Sequence, residues 1–271
     1  MSRYIQIQFQ NISQQQSDIL IARLNEIGFE GFQEEENELK AFITSTAFDE
    51  NLLQHISSSL QLNFSKTIIE ETNWNQIWES NFDPVIVDDF VAVRADFHKP
   101  VKKAAFEIVI TPKMSFGTGH HATTYMMMQQ MREIDFAGKT VFDFGTGTGV
   151  LAILAEKLGA RAILAIDNDS WSIENTAENI TRNGCTKIDL KLADTAITND
   201  SFDIILANIN KNVILDNFQL LAKQLLPGGI LLLSGLLAED KQDILSKAGE
   251  LNLQLLTAGK RHNWLFIKLS H

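Results

Sequence analysis

Cysteine is almost absent from this chain. Cys185 stands alone, so an internal disulfide framework is excluded. Proline, at 4 of 271 residues, and glycine, at 15, are too few for a collagen-like or low-complexity chain. No apolar run approaches the roughly 20 residues that a membrane-spanning helix needs. Residues Met1 to Gln10 show no basic region followed by an apolar stretch, so no secretory signal is read and the cytoplasm is the expected compartment. Positive charge is also short: Lys and Arg number 23 against 34 Asp and Glu, a formal net charge of −11. Such a surface repels a phosphate backbone and suits a cationic partner. Neither direct nucleic-acid binding nor a membrane role is expected.

What is present is ordinary globular usage, 45% hydrophobic and 21% charged, in a length that fits one large domain or two smaller ones. The first 71 residues read as a unit. Tyr4, Ile5, Ile7 and Phe9 suggest a strand, and Leu20, Leu24 and Ile27 recur at helical spacing before Gly28, which fits a helix stop. Two strands, Phe29 to Phe32 and Leu39 to Thr44, would flank an acidic turn from Glu34 to Glu38. Phe48, Leu52, Ile56 and Leu60 mark a second helix, and Phe64 to Glu70 a last strand. The order βαββαβ is that of a ferredoxin-like α+β domain. Up to Glu71 it carries 4 basic and 11 acidic residues, the wrong sign for an RNA-binding sheet. It reads as a docking module for a basic protein, or more plainly as an acidic solvated face.

Residues 72–84 read as a linker helix with Trp74, Ile77 and Trp78 on one face. From 85 to 271 a second domain is expected. Val85 to Phe97 suggests a hairpin and Phe106 to Ile110 a strand. Helices and strands then alternate, with strands at Thr140–Phe144, Ala162–Ile166, Lys187–Leu192, Phe202–Ala207, Ile230–Ser234, Leu253–Thr257 and Trp264–Leu269. Such a series predicts an α/β fold with a mainly parallel sheet and helices on both faces.

Three segments carry chemistry. Asp143-Phe144-Gly145-Thr146-Gly147-Thr148-Gly149 lies between the first of these strands and a helix, where glycines let the backbone approach a ligand and turn sharply. The spacing is G-x-G-x-G, with Val150 where a dinucleotide fingerprint has its last Gly or Ala. An acidic lip favours a cationic ligand over pyrophosphate, and S-adenosylmethionine carries an ammonium and a sulfonium. The next strand ends in Asp167-Asn168-Asp169, where a carboxylate can accept from both ribose hydroxyls. Asn208, in Ala207-Asn208-Ile209-Asn210, falls at the carboxyl end of its strand, where a carboxamide oxygen can accept from an amine. In a fourth segment, Pro112 to Thr124, the glycines suggest a mobile loop, and Thr123 or Thr124 could cap the following helix. His120 and His121 have no further ligands at metal spacing, so no metal is expected. Met126, Met127 and Met128 read as core filler and Cys185 as a packed thiol.

On these residues the chain resembles a Rossmann-like class I S-adenosylmethionine-dependent methyltransferase, and more narrowly the bacterial ribosomal protein L11 methyltransferase family. The likeness covers nearly the whole chain: the small N-terminal domain, Trp74 and Trp78, Phe116-Gly117-Thr118-Gly119-His120 with Thr123-Thr124, the glycine loop, Gly184, Ala207-Asn208-Ile209 and Leu233-Ser234-Gly235. The glycine loop marks only the superfamily. The Phe-Gly-Thr-Gly-His segment joined to Ala-Asn-Ile is far more specific. The resemblance implies an N-terminal substrate-recognition domain and a catalytic domain. It also implies repeated methylation of lysine side chains and the N-terminal amine of one large-subunit ribosomal protein, with S-adenosylmethionine as cofactor.

By matched position the resemblance gives the cofactor Thr124, Gly145, Gly147, Asp167 and Asn208, with Asp143 and Asn168 beside them, and has Phe116, Gly117, Thr118, Gly119 and His120 closing over it. Asn208 is the catalytic candidate. Two departures stand out: Thr146 and Thr148 replace the Cys and Ser common in relatives, and Asn210 stands where an apolar residue is usual, at the rim of the acceptor pocket. The partner is expected to be a basic ribosomal protein and the enzyme a monomer. A class I methyltransferase acting on RNA or on another protein stays open, as does an NAD-dependent oxidoreductase.

Overall fold

The computed structural model describes residues 4–69, 83–112 and 119–271. The linker helix expected over 72–84 falls almost wholly outside them, as do Phe116, Gly117 and Thr118. The chain divides into two compact units, residues 1–81 and 82–271.

In the first unit, β1 (Tyr4–Gln10), α1 (Gln14–Glu26), β2 (Gly31–Glu35), β3 (Glu38–Thr44), α2 (Glu50–Ser59) and β4 (Phe64–Ile69) give the order βαββαβ. The four strands form one antiparallel sheet in the order β2-β3-β1-β4. Alternation in β1 sends Ile5, Ile7 and Phe9 inward, and Leu20, Ile21 and Leu24 of α1 are buried as well. A capping box of Ser13 and Gln16 starts α1, and Gly28, at φ +91°, follows its end. Two expectations shift. The strand placed at Phe29–Phe32 runs instead from Gly31 to Glu35, because Phe29 still belongs to the helix exit: it is buried, and its N–H donates to the Leu24 carbonyl. The acidic turn shrinks to Glu36 and Asn37, the latter at φ +60°.

The second unit opens with a three-stranded sheet of β5 (Val85–Val87), β6 (Val91–Ala95) and β7 (Phe106–Ile110), antiparallel then parallel. Helix α3 (Ala122–Met131) leads into the main series: β8 (Thr140–Phe144), α4 (Val150–Lys157), β9 (Ala162–Asp167), α5 (Ser170–Arg182), β10 (Ile188–Leu192), β11 (Phe202–Asn208), α6 (Lys211–Gln224), β12 (Leu225–Leu237), α7 (Lys241–Glu250), β13 (Gln254–Arg261) and β14 (Trp264–Ser270).

The seven strands order as β10-β9-β8-β11-β12-β14-β13. β10 through β12 run parallel, and β14 alone is reversed between β12 and β13. Runs such as Ile204 to Ala207 and Leu231 to Leu233 are buried throughout, as strands covered on both faces must be. Phe142, Phe144, Ile205, Phe218, Leu231 and Ile267 belong to this core, with Phe142 stacked on Phe202 at 5.1 Å between centroids. Met126, Met127, Met128 and Met131 of α3 are buried as well. After β8 the chain adds strands to one side, and from β11 to the other. The order reverses between β8 and β11, and open α/β sheets bind ligands in the crevice at the carboxyl ends of such a pair.

Candidate active site

The turn after β8 is built from glycines for two separable reasons. Gly145, Gly147 and Gly149 have φ of +78°, +57° and +79°, a region that side chains disfavour. Space is the second reason: a Cβ on Gly145 would overlap Cγ2 of Ile209, and one on Gly149 would lie 2.7 Å from Cγ2 of Thr176. The amides of Gly145 and Thr146 both donate to the Ile166 carbonyl at 2.9 Å, stitching the loop to the end of β9.

Two carboxylates flank this turn. Asp167 closes β9, with Oδ2 accepting from the Gly147 amide at 2.8 Å and Oδ1 from the Asp169 amide at 3.1 Å. Burial raises its pKa despite these bonds. Asn168 beside it is exposed, and Asp169 caps α5. Asp143 is buried. Its Oδ2 accepts from the Thr146 hydroxyl at 2.7 Å, and its Oδ1 has no partner. Burial pushes its pKa up to about 7; the Thr146 hydrogen bond opposes this and the nearby charge of Asp167 adds to it.

Across the switch point, Asn208 ends β11 at 8% exposure. Its Nδ2 donates to Oγ1 of Thr124 at 3.0 Å, and its Oδ1 is buried without a partner. Thr124 is fully buried in the first turn of α3. Neither Thr123 nor Thr124 caps that helix. His121 does, because its backbone is extended and its Nδ1 accepts from the Thr123 amide at 3.4 Å. Burial lowers the His121 pKa to about 4, which keeps the ring neutral. The ring packs edge-on against Trp264, 4.5 Å between centroids.

The structure therefore brings Asp143, Gly145, Gly147 and Asp167 together on one side and Thr124 with Asn208 on the other. Ile209 joins the two sides, since its side chain covers Gly145 directly after Asn208. Gly119 packs against Met128 and Val85, and His120 places Nε2 2.8 Å from the Asp83 carbonyl oxygen. Asn210 caps α6 by accepting from the Val213 amide at 3.0 Å, which accounts for a polar residue at that position. Burial pushes the Cys185 thiol up to about 11, so it is no thiolate nucleophile at neutral pH. Among the described residues no three metal-ligating side chains are grouped.

Sequence reasoning named one contributor without its role and missed two others. Gly235, at φ +80°, allows the Ile209 backbone to pass directly over β12. Thr176 and Asn179 of α5 bond the glycine loop from behind. Only the polar i, i+3 pair on α5 hinted at them. A site with two carboxylates, a glycine cradle and an oriented carboxamide suits a cationic, ribose-bearing ligand facing a neutral amine.

Comparison with known proteins finds a family. Residues 5–271 match the family described as Ribosomal protein L11 methyltransferase (PrmA). The chain is 42% identical over 261 residues to the ribosomal protein L11 methyltransferase of Porphyromonas gingivalis, covering 93% of this chain and 90% of that protein. It is 40% identical over 237 residues to that of Chlorobaculum tepidum, covering 83% and 82%. Among solved structures it resembles a ribosomal protein L11 methylase from Lactobacillus delbrueckii subsp. bulgaricus, with TM-score 0.66 and 29% identity over 70% of this chain and 99% of that one.

Proposed function

The chain belongs to the ribosomal protein L11 methyltransferase family, and from that premise we propose that it methylates amino groups of ribosomal protein L11, using S-adenosylmethionine, in the cytoplasm. The amines in question are lysine side chains and the N-terminal amine. The observation that carries this reading is the Asn208 carboxamide: its nitrogen is tied to Thr124, which leaves its oxygen, partnerless at the carboxyl end of β11, as the acceptor for a ligand at the switch point.

The residues present fit the cofactor. Asp167, and Asp143 once a bound cation favours its charged form, offer negative charge to a sulfonium and an ammonium, a poor setting for the pyrophosphate of a dinucleotide. Lone pairs of Asp167 not used by Gly147 and Asp169 remain for ribose hydroxyls. Bound there, S-adenosylmethionine supplies an electrophilic methyl, whose bond to sulfur breaks as the bond to nitrogen forms.

Asn208 Oδ1 accepts an N–H of the incoming amine and so aims the nitrogen lone pair at the methyl. A carboxamide is no base, so the amine must arrive deprotonated. For lysine, with an ordinary pKa near 10.4, that costs about 4.6 kcal/mol at pH 7. Desolvation of the ammonium in the cleft offsets part of it, and the proton leaves to water before transfer. Alignment contributes most of the acceleration, since proximity and orientation supply about 7–11 kcal/mol.

In this reading residues 1–71 recognise the substrate, 72–84 link, and 85–271 catalyse, with the monomer as the working unit. The excess of 11 acidic over 4 basic residues up to Glu71 supports docking of a basic protein. Incubating the purified chain with S-adenosylmethionine and ribosomal protein L11 tests the whole proposal. A ladder of methyl-sized additions in the intact mass is expected. An unshifted mass with cofactor bound would overturn the substrate and keep the cofactor.

A further inference from the structure

We propose that Thr176 and Asn179 of α5 are positioning residues for the cofactor, holding two successive carbonyls of the glycine loop in the orientation that binding requires. This rests on the loop being the S-adenosylmethionine site. The Thr176 hydroxyl donates to the Gly147 carbonyl at 2.6 Å, and Asn179 Nδ2 donates to the Thr148 carbonyl at 2.8 Å. Both side chains are fully buried. A peptide is planar and trans, so fixing these carbonyls also fixes the direction of the amides that follow them. A loop with three glycines at positive φ has little intrinsic preference for one conformation, and the two bonds select it.

Asn179 does more than this. Its Oδ1 accepts from the Thr111 amide at 2.8 Å, one residue beyond β7 and at the start of the segment leading to α3. One buried side chain therefore fixes both the glycine loop and the exit of the strand that precedes the Thr124 helix. Its neighbour one turn on, Asn183, provides an internal contrast. Asn183 also pairs with that strand, accepting from Val109 N–H at 3.0 Å and donating to Val109 O at 2.6 Å, but it makes no bond to the glycine loop.

The contrast defines the test. Affinity for S-adenosylmethionine is measured by calorimetry on the full chain, with melting temperature and the split between KM and kcat, for Thr176→Val, Thr176→Ser, Asn179→Asp and Asn183→Ala. Valine keeps the shape of threonine and removes the donor. Aspartate keeps the acceptor for Thr111 and replaces the donor to Thr148 with a repelling oxygen. Thr176→Val and Asn179→Asp are expected to raise Kd and cofactor KM about fivefold to tenfold, as loss of one hydrogen bond implies, with kcat at saturating cofactor within about twofold. Thr176→Ser should restore wild-type affinity. Asn183→Ala should lower the melting temperature with Kd unchanged. Lowered melting temperatures with wild-type Kd in both Thr176→Val and Asn179→Asp would overturn the proposal alone. Failure of the unmodified chain to bind S-adenosylmethionine would overturn it together with the cofactor reading.

Discussion

Replacing Asn208 by alanine separates catalysis from cofactor binding. The carboxamide is 8% exposed, its Nδ2 is held by Thr124 at 3.0 Å, and its Oδ1 is partnerless. During transfer the acceptor nitrogen gains positive charge, so a hydrogen bond from it to Oδ1 strengthens between ground and transition states. A hydrogen bond involving a charged group contributes about 1.5–3 kcal/mol, which converts to about 10- to 150-fold in kcat. The alanine variant also loses the bond to Thr124 but no longer buries a carbonyl oxygen without a partner. These effects oppose, and the melting temperature should move little. Single-turnover methylation with saturating cofactor gives the chemical rate, and calorimetry gives cofactor affinity. The expected outcome is a rate loss in that range with cofactor Kd within about threefold. An unchanged rate refutes the role, and so does a Kd that rises in step with the rate loss, since Asn208 would then hold only the cofactor. Asn208→Asp supplies a check on sign. A carboxylate beside the amine stabilises the ammonium and raises its pKa, so the rising limb of the pH–rate profile should move to higher pH.

Gly145→Ala would place a methyl on Ile209 Cγ2 at φ +78°, and Gly235→Ala would place one on the Ile209 backbone at φ +80°. Both should destabilise the fold, Gly235→Ala more because backbone yields less than a side-chain tip, by about 1–3 kcal/mol or above in denaturant melts. Asp143, raised to about 7 from an ordinary 3.8, keeps its proton in the folded state where the unfolded chain has lost it. Stability of the cofactor-free protein should therefore fall as pH rises from about 4 to 7 and level off above, and Asp143→Asn should flatten that slope. A cation bound beside Asp143 favours its charged form, so cofactor binding near pH 7 should release a proton, visible as a dependence of the calorimetric heat on buffer ionisation. Removal of residues 1–71 should spare cofactor binding and abolish methylation of ribosomal protein L11. In the full chain the KM for that protein should climb with salt, and salt-independent turnover would argue against electrostatic docking.

The central strands of the large sheet were legible because strands buried on both faces read as continuous apolar runs. The edge strand β13, expected at Leu253–Thr257, runs instead from Gln254 to Arg261, since its half-exposed residues make no such run. β8, β9 and β11 fall within a residue of their expected ends. β12 was not: it was expected at Ile230–Ser234 and runs from Leu225 to Leu237. Pro227, Gly228 and Gly229 read as a turn, yet the strand passes through them. Its pairing with β11 jumps from Phe202↔Leu225 to Ile204↔Ile230, a bulge that absorbs the residues a regular ladder would reject. β2 was displaced for a related reason. It lies at the edge of its sheet, where Glu34 and Glu35 keep their charges in water, so its acidic half resembled a loop.

Legibility of the active site followed sequence distance. Gly147 and Asp167 meet across 20 positions, within one βαβ step, and their spacing alone pairs them. Thr124 and Asn208 meet across 84, which no local pattern encodes, so only the resemblance brought them together. The supporting helix face was hidden differently. Ser172, Asn175, Thr176 and Asn179 recur at helical spacing, and a polar stripe ordinarily marks the face turned to water. Here all four are buried, three of them completely. Most buried polar groups have hydrogen bonds in place of water, as Thr176 and Asn179 do here, and a glycine loop is rich in carbonyls that no regular ladder satisfies. The stripe and the loop are thus two halves of one device: the glycines free the backbone to approach a ligand, and the threonine and asparagine behind them decide which of its conformations does so.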